Sequence, residues 1–466
     1  MYFSISAFLF FLIENKKNKK QLLNLFIIVT TLHALFNIFA LASELKNYDL
    51  FLKINQLSVY TETLPKNWFL DNLSLSLMTL TSIISFLCYV WLAEPSELKI
   101  DSVLCIKLIE FCMHNAFSTS NLVYFYVFFE LSAIPLLFLI GRRGPSFRKI
   151  KAAQYFLGYT LFGSVFLLST ILFLNYLLGS VNFFFILENI NSLSQLQQTV
   201  IWFGFFISFL VKIPTAPFHL WLLEAHVEAP TVGSVILAAI LLKIGGYGMI
   251  RFCVQLLPEI TNYYYPVAYV LGLGSLLFST LSALCQVDLK RIIAYSSIAH
   301  MNASVLCIFS LNTIAYKGAV VAMLSHGLVS AAMFFLAGIV YKMYHTKNLA
   351  LLGGLGTLMP KFTFFFIFFT ISNIGFPGTF NFTGELLSLV GVHESSPLVS
   401  YFFLLKTGIL FIFFMFLVNK VCFTEVEDGD VCYFSDLTYR ETGILGSLGV
   451  LTVLFGVYPN AILVFI

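Results

Sequence analysis

Charge is what this sequence has least of. Only 11% of its 466 residues are Asp, Glu, Lys or Arg, against roughly 25% in a typical soluble domain, which excludes a water-soluble globular fold. The net charge of +3 is too small on so long a chain to specify nucleic acid as a partner. The 8 cysteines, from Cys88 to Cys432, form no CxxC pair and no ligand cluster. A disulfide framework, an iron–sulfur centre and a zinc site are therefore not expected. A phosphate-cradling loop, a nucleophile triad and a haem motif are also missing, and the glycines of Gly245-Gly-Tyr-Gly248 lie inside an apolar run. The chain is expected to bind no cofactor and no metal. His219-Leu-Trp-Leu-Leu-Glu-Ala-His-Val-Glu228 has ligand-like spacing, but interfacial His, Trp and Glu are ordinary at such a helix end.

What fills the sequence instead is apolar: 59% of residues are hydrophobic, 53 of them Phe. Stretches such as Phe203 to Val211 are apolar on every face, unlike the alternating strands of a membrane barrel. The pattern predicts an all-α polytopic membrane protein with about fourteen spans. They lie near 2–13, 21–43, 67–92, 103–118, 120–140, 151–178, 199–223, 231–252, 263–286, 290–310, 314–341, 360–390, 399–421 and 442–466. The run Tyr2 to Ile13 has its lysines after it rather than before it, which reads as a short first helix and not a cleavable signal. Basic residues gather after odd-numbered runs, notably Lys16, Lys17, Lys19 and Lys20, then Arg142, Arg143, Arg148, Lys149 and Lys151, then Lys290 and Arg291. The positive-inside rule places these loops on one side and both termini on the other.

Prolines interrupt two runs, in Lys212-Ile-Pro-Thr-Ala-Pro-Phe-His219 and in Gly375-Phe-Pro-Gly-Thr-Phe-Asn-Phe-Thr-Gly-Glu385. Broken helices are predicted at the seventh and twelfth spans. If helices 4–8 and 9–13 are two inverted five-helix repeats, both breaks fall on the fourth member, the usual mark of a transport site. The rival reading is a pair of packing kinks. The chain then divides into N-terminal helices (1–102), a first repeat (103–252), a second repeat (253–421) and a terminal loop with its helix (422–466).

Six ionisable residues sit inside these runs: Glu130, Lys212, Lys243, His300, His326 and Glu385. A charge near the bilayer centre costs roughly 2.5 to 3.5 kcal/mol or more, so such groups need partners or water. With about 1.5 Å rise per residue, Glu130, Lys212, Lys243 and His300 lie near mid-span. Glu130 with Lys212 is the candidate ion-pair switch, Lys243 and His300 continue a lateral proton relay, and Glu385 is its terminal group. His326, in Leu324-Ser-His-Gly-Leu328, is also read as an interhelical hydrogen bond between close-packed helices. Lys406 is read as snorkelling to the interface, and Lys107 with Glu110 as a pair on one helix face.

The motifs Phe125-Tyr-Val-Phe-Phe-Glu130, Lys212-Ile-Pro-Thr-Ala-Pro-Phe-His-Leu-Trp-Leu222, Glu228-Ala-Pro-Thr-Val-Gly-Ser234, Leu241 to Arg251, Asp288 to Ser297, Ser325 to Leu328 and Pro377 to Glu385 resemble the antiporter-like membrane subunits of respiratory complex I. The glutamate at 385 resembles the subunit 4 branch, whereas related subunits and multisubunit sodium/proton antiporters usually carry lysine there. The resemblance implies that Glu130 modulates Lys212, that Lys243 and His300 relay protons, and that Glu385 lies at the exit; His326 joins them as a proton-transfer candidate ranked below His300. It also implies that NADH, FMN, iron–sulfur clusters and ubiquinone are handled by other chains. Neighbouring antiporter-like subunits and phospholipids are the implied partners, and the mitochondrial inner membrane is the implied location. An antiporter subunit, or a membrane subunit that is purely structural, remains the alternative.

Overall fold

The computed structural model describes residues 68–94, 100–424 and 435–464. The expected runs at 2–13 and 21–43 and most of the loop at 425–436 lie outside the described residues. Its longer helices are α1 (Asn72–Leu92), α2 (Ile100–Ser118), α3 (Leu122–Arg143), α4 (Lys149–Leu178), α5 (Phe183–Asn189), α6 (Gln195–Lys212), α7 (Leu220–Glu228) and α8 (Thr231–Gln255). They continue as α9 (Pro258–Leu284), α10 (Leu289–Phe309), α11 (Thr313–Tyr344), α12 (Pro360–Ile374), α13 (Phe380–Ser395), α14 (Pro397–Phe423) and α15 (Tyr439–Val457). Only isolated β-bridges occur among the described residues, as an apolar solvent demands of a helical protein. Nine of these helices are long and apolar enough to cross a membrane. The other described runs are α2, which carries Asp101, Lys107 and Glu110, and the two interrupted pairs α6/α7 and α12/α13.

Helix starts follow local chemistry. Asp71, Ser194 and Thr438 each make a capping box at the heads of α1, α6 and α15, and Asn121 and Asn312 cap α3 and α11 with their side-chain oxygens. These satisfy amides that otherwise lack intrahelical partners.

Burial sorts the helices into layers. The hydrophobic windows of α8, α10 and α11 are almost wholly buried, whereas most of α4 and α15 faces outward. Outward apolar side chains such as Val165, Leu172, Phe416 and Val450 are what a lipid-facing surface requires. The ends are chemically distinct. The loops expected to be basic meet at one end, where Arg143 bonds Asp101 at 2.6 Å, Arg291 bonds Glu224 at 3.2 Å, Lys342 bonds Glu94, and the 288 and 348 loops form a bridge. Lys347 donates there to the Val227 carbonyl, and burial draws its ammonium pKa down from the ordinary lysine value.

α11 packs closely against α13, and small residues make it possible. A Cβ on Gly318 would stand 2.5 Å from the Ser388 amide, and one on Gly384 2.9 Å from the Ala322 Cα. Gly391 lies against the Ala315 backbone in the same way. Small residues that let helix backbones approach are a main source of association inside a membrane. Replacing Gly391 by Val should separate the two helices and cost about 1–3 kcal/mol. The check is the yield and melting temperature of detergent-extracted protein, with Gly446→Val as control because its Cβ position is open.

Candidate functional site

The first helix break is built to be stable in a dry interior. α6 stops at Lys212, and Ile213 turns to extended backbone. Pro214 and Pro217 prevent the helix from continuing. The polar groups released by the break find partners on other elements. The Ala216 amide donates to Ser275 Oγ at 2.8 Å, Asn302 Nδ2 donates to the Pro214 carbonyl at 3.3 Å, and Trp221 Nε1 donates to the Val211 carbonyl at 3.0 Å. Gly245 completes the fit, because a Cβ there would stand 2.7 Å from Ile213 Cγ1 and 3.3 Å from Lys212 Cβ. The absence of that side chain lets α8, which carries Lys243, lie against the broken end that carries Lys212.

Lys212 is 3% exposed, with its ammonium 4.1 Å from the centroid of the Phe129 ring. That ring neighbours Glu130, whose Oε1 is buried without a hydrogen-bond partner among the described residues. The expected Glu130–Lys212 pair is therefore close in the fold but not in direct contact. A ring face takes the place of the carboxylate, a favourable seat for a desolvated ammonium.

Lys243 is 1% exposed. Its Nζ donates to the Ala238 carbonyl at 2.7 Å and meets His326 Nδ1 at 2.9 Å. The carbonyl belongs to a π-helical turn, Leu237–Leu241, a distortion frequent at functional sites. The His326 ring lies 5.8 Å, centroid to centroid, from that of His300. His326 thus stands between Lys243 and His300, which the sequence had placed next to each other in the relay.

The second break supplies the other end. α12 closes on Gly375, whose φ of +85° suits glycine, and Gly378 also adopts a positive φ. Thr379 Oγ1 donates to the Phe376 carbonyl at 2.7 Å. A Cβ on Gly375 would come within 2.8 Å of Glu385 Oε2, so the bare backbone makes room for the carboxylate. Glu385 Oε1 lies 3.1 Å from His300 Nδ1 and 2.6 Å from Lys406 Nζ, and Lys406 Nζ also lies 3.2 Å from His300 Nδ1.

Lys406 corrects the expectation drawn from the sequence. It is 0% exposed and does not snorkel; its ammonium turns inward to Glu385. Counting helical rise along its own span gave a depth near the interface, but only the packing of α13 against α14 decides which side chain it meets. Lys107 and Glu110 do pair, at 3.1 Å, with Tyr89 donating to the same carboxylate at 3.3 Å. His226 is fully buried and stacked on Phe334 at 4.4 Å, and no three potential metal ligands converge among the described residues.

The five groups Lys243, His326, His300, Glu385 and Lys406 thus form a row inside the bundle, in direct contact except between the two imidazole rings, with Lys212 and Glu130 beyond its Lys243 end. All are groups that gain or lose a proton. The family described as NADH:quinone oxidoreductase/Mrp antiporter, TM, matches residues 119–410, a span containing every member of the row. The chain is 40% identical over 398 residues to NADH-ubiquinone oxidoreductase chain 4 of Chondrus crispus, covering 84% of this chain and 80% of that one. It is 41% identical over 396 residues to the protein of the same name in Arabidopsis thaliana, covering 84% and 79%. It is 36% identical over 397 residues to NADH-quinone oxidoreductase subunit M of Rickettsia conorii, covering 84% and 80%. Among solved structures, a chain of respiratory complex I from Thermus thermophilus with bound NADH superposes with a TM-score of 0.77 at 25% identity, covering 85% of this chain and 84% of that one. A chain of an Mrp complex from Dietzia sp. superposes with a TM-score of 0.77 at 18% identity, covering 94% of this chain but 51% of that one. The chain that carries this bundle belongs to the NADH:quinone oxidoreductase/Mrp antiporter membrane family.

Proposed function

We propose that this chain is a proton-translocating membrane-arm subunit of respiratory complex I, corresponding to NADH-ubiquinone oxidoreductase chain 4. The observation that carries this reading is the row from Lys243 to His326 at 2.9 Å and from His300 to Glu385 at 3.1 Å, with the two imidazole rings 5.8 Å apart, centroid to centroid, between them. Hydrocarbon blocks a bare proton, so translocation needs groups spaced for transfer, each able to hold the charge briefly. Histidine suits the middle of the row because either ring nitrogen can accept while the other donates. With Lys406 as donor, His300 Nδ1 accepts; with Nδ1 protonated, the ring donates to Glu385 instead. The two arrangements exclude each other, which makes the ring a two-position switch.

At the other end, Lys212 on its ring face and Glu130 nearby form the group that senses events outside this chain. Moving the ammonium towards the carboxylate would change the charge facing Lys243. In this reading NADH oxidation and ubiquinone reduction belong to other chains, which hold the FMN and iron–sulfur clusters. Other membrane-arm subunits and phospholipids surround this one in the mitochondrial inner membrane. The antiporter alternative shares the fold. It is disfavoured by Glu385, and by 40% identity covering 84% of this chain and 80% of a chain 4 relative, against 18% identity to the Mrp chain, of which 51% is covered.

Native separation of source membranes should place this chain in a large complex that oxidises NADH. A separate band without that activity would favour the antiporter. In assembled complex, Lys212→Met or Glu130→Gln should lower quinone-coupled proton pumping by roughly 100-fold or more, the lower end of what one positioned acid–base group contributes. NADH oxidation with an artificial acceptor should be unchanged; normal pumping by both variants would sink their role. His326→Phe keeps a ring between Lys243 and His300 but removes the acceptor for the Lys243 ammonium. Its pumping rate should fall by about tenfold or more, whereas a purely structural histidine would affect assembly and leave the rate per assembled complex intact.

A further inference from the structure

The least expected feature of the row is the full burial of a second lysine at its far end. Lys406 sits on α14 at 0% exposure, with its ammonium on Glu385 Oε1 at 2.6 Å, on His300 Nδ1 at 3.2 Å and 5.3 Å from the Phe403 ring centroid. A buried ion pair is a poor way to gain stability, since desolvation of two charges offsets most of their attraction. The arrangement of the carboxylate is informative as well. Its Oε1 is held inward by Lys406 and His300, while its Oε2 lies over Gly375 at the helix break. The Glu385 side chain keeps 14% of its surface exposed, against 0% for Lys406. One oxygen therefore meets His300 and Lys406 and the other lies at the break.

We infer that Lys406 is a positioning residue of the proton path, forming with Glu385 a second acid–base pair that governs release at the end of the row. This rests on the proposed role of Glu385 as the exit-side acid. Protonated His300 passes its Nδ1 proton to Glu385 Oε1: the N–H bond breaks, an O–H bond forms, and the imidazole becomes neutral. The Lys406 ammonium is then a buried cation beside a neutral acid, its counter-charge gone. That imbalance drives the acid proton onto water at the break: the O–H bond breaks, the water becomes hydronium, and the Lys406–Glu385 pair closes again. Without the cation a carboxyl in this setting has no reason to let its proton go. The row would then begin at one buried lysine–glutamate group, Lys212 with Glu130, and end at another.

The test uses purified, assembled complex in sealed liposomes, with NADH–quinone turnover and acidification read per assembled complex. Lys406→Met, close in volume and uncharged, should lower both by about tenfold or more, with artificial-acceptor NADH oxidation unchanged. Lys406→Arg, which restores the positive charge, should recover most of the loss. Wild-type turnover by assembled Lys406→Met would overturn the inference. If Lys406→Met does not assemble, the neutral double variant Glu385→Gln/Lys406→Met decides. Turnover as low as that of Glu385→Gln supports a shared function; recovery above Glu385→Gln would mean that charge burial alone was at stake. Normal pumping by Glu385→Gln by itself would remove the exit role of Glu385, a failure separate from any result at Lys406.

Discussion

An ionisable side chain inside hydrocarbon survives only where protein supplies what water would have supplied, and most of this structure follows from that constraint. Backbone groups opened by the two helix breaks are met by Ser275, Asn302, Trp221 and Thr379. Side-chain charges are met by a carbonyl for Lys243, a ring face for Lys212 and a carboxylate for Lys406. Each of these partners comes from a neighbouring element or turn held close by packing. The small residues of α8, α11 and α13 are therefore as much a part of the site as the charged ones. A side chain at Gly245 would push α8 away from the first break, and one at Gly375 would take the place of the Glu385 carboxylate.

In the proposed reading the same constraint lets the row act as a path rather than as a set of static bonds. His300 Nδ1 faces both a cation and an anion and satisfies one at a time. Glu130 is near Lys212 without contact, leaving a movement still to be made. Protein interiors are packed densely enough that such choices are discrete, and a discrete choice is what a switch requires.

Much of this was legible before any coordinates. Runs of apolar residues had to become helices, because only a helix satisfies its own backbone in lipid. Pro214, Pro217 and Pro377 marked both interruptions, since a ring in place of an amide cannot be hidden in a helix interior. Glu130, Lys212, Lys243, His300, His326 and Glu385 stood out because their cost is fixed by the surrounding solvent and not by their neighbours. What stayed hidden were relations between spans. His326 and Lys243 are 83 residues apart, and nothing local to either specifies the other. The π turn beneath Lys243 and the short helix α5 left no periodic signal in so uniformly apolar a sequence.

The sequence by itself determined the solvent, the helical class, the positions of the breaks and which ionisable groups lie inside the spans, because each depends on the free energy of one segment against lipid. The tertiary structure alone decided the order of the row, the separation of Glu130 from Lys212 and the company of Lys406. Those depend on which helix faces which, at what depth and rotation, and that is settled by close packing of distant segments. Lys406 is the clearest case: read along its own helix it lies within reach of water, and only the position of α13 turns it into the inward partner of Glu385.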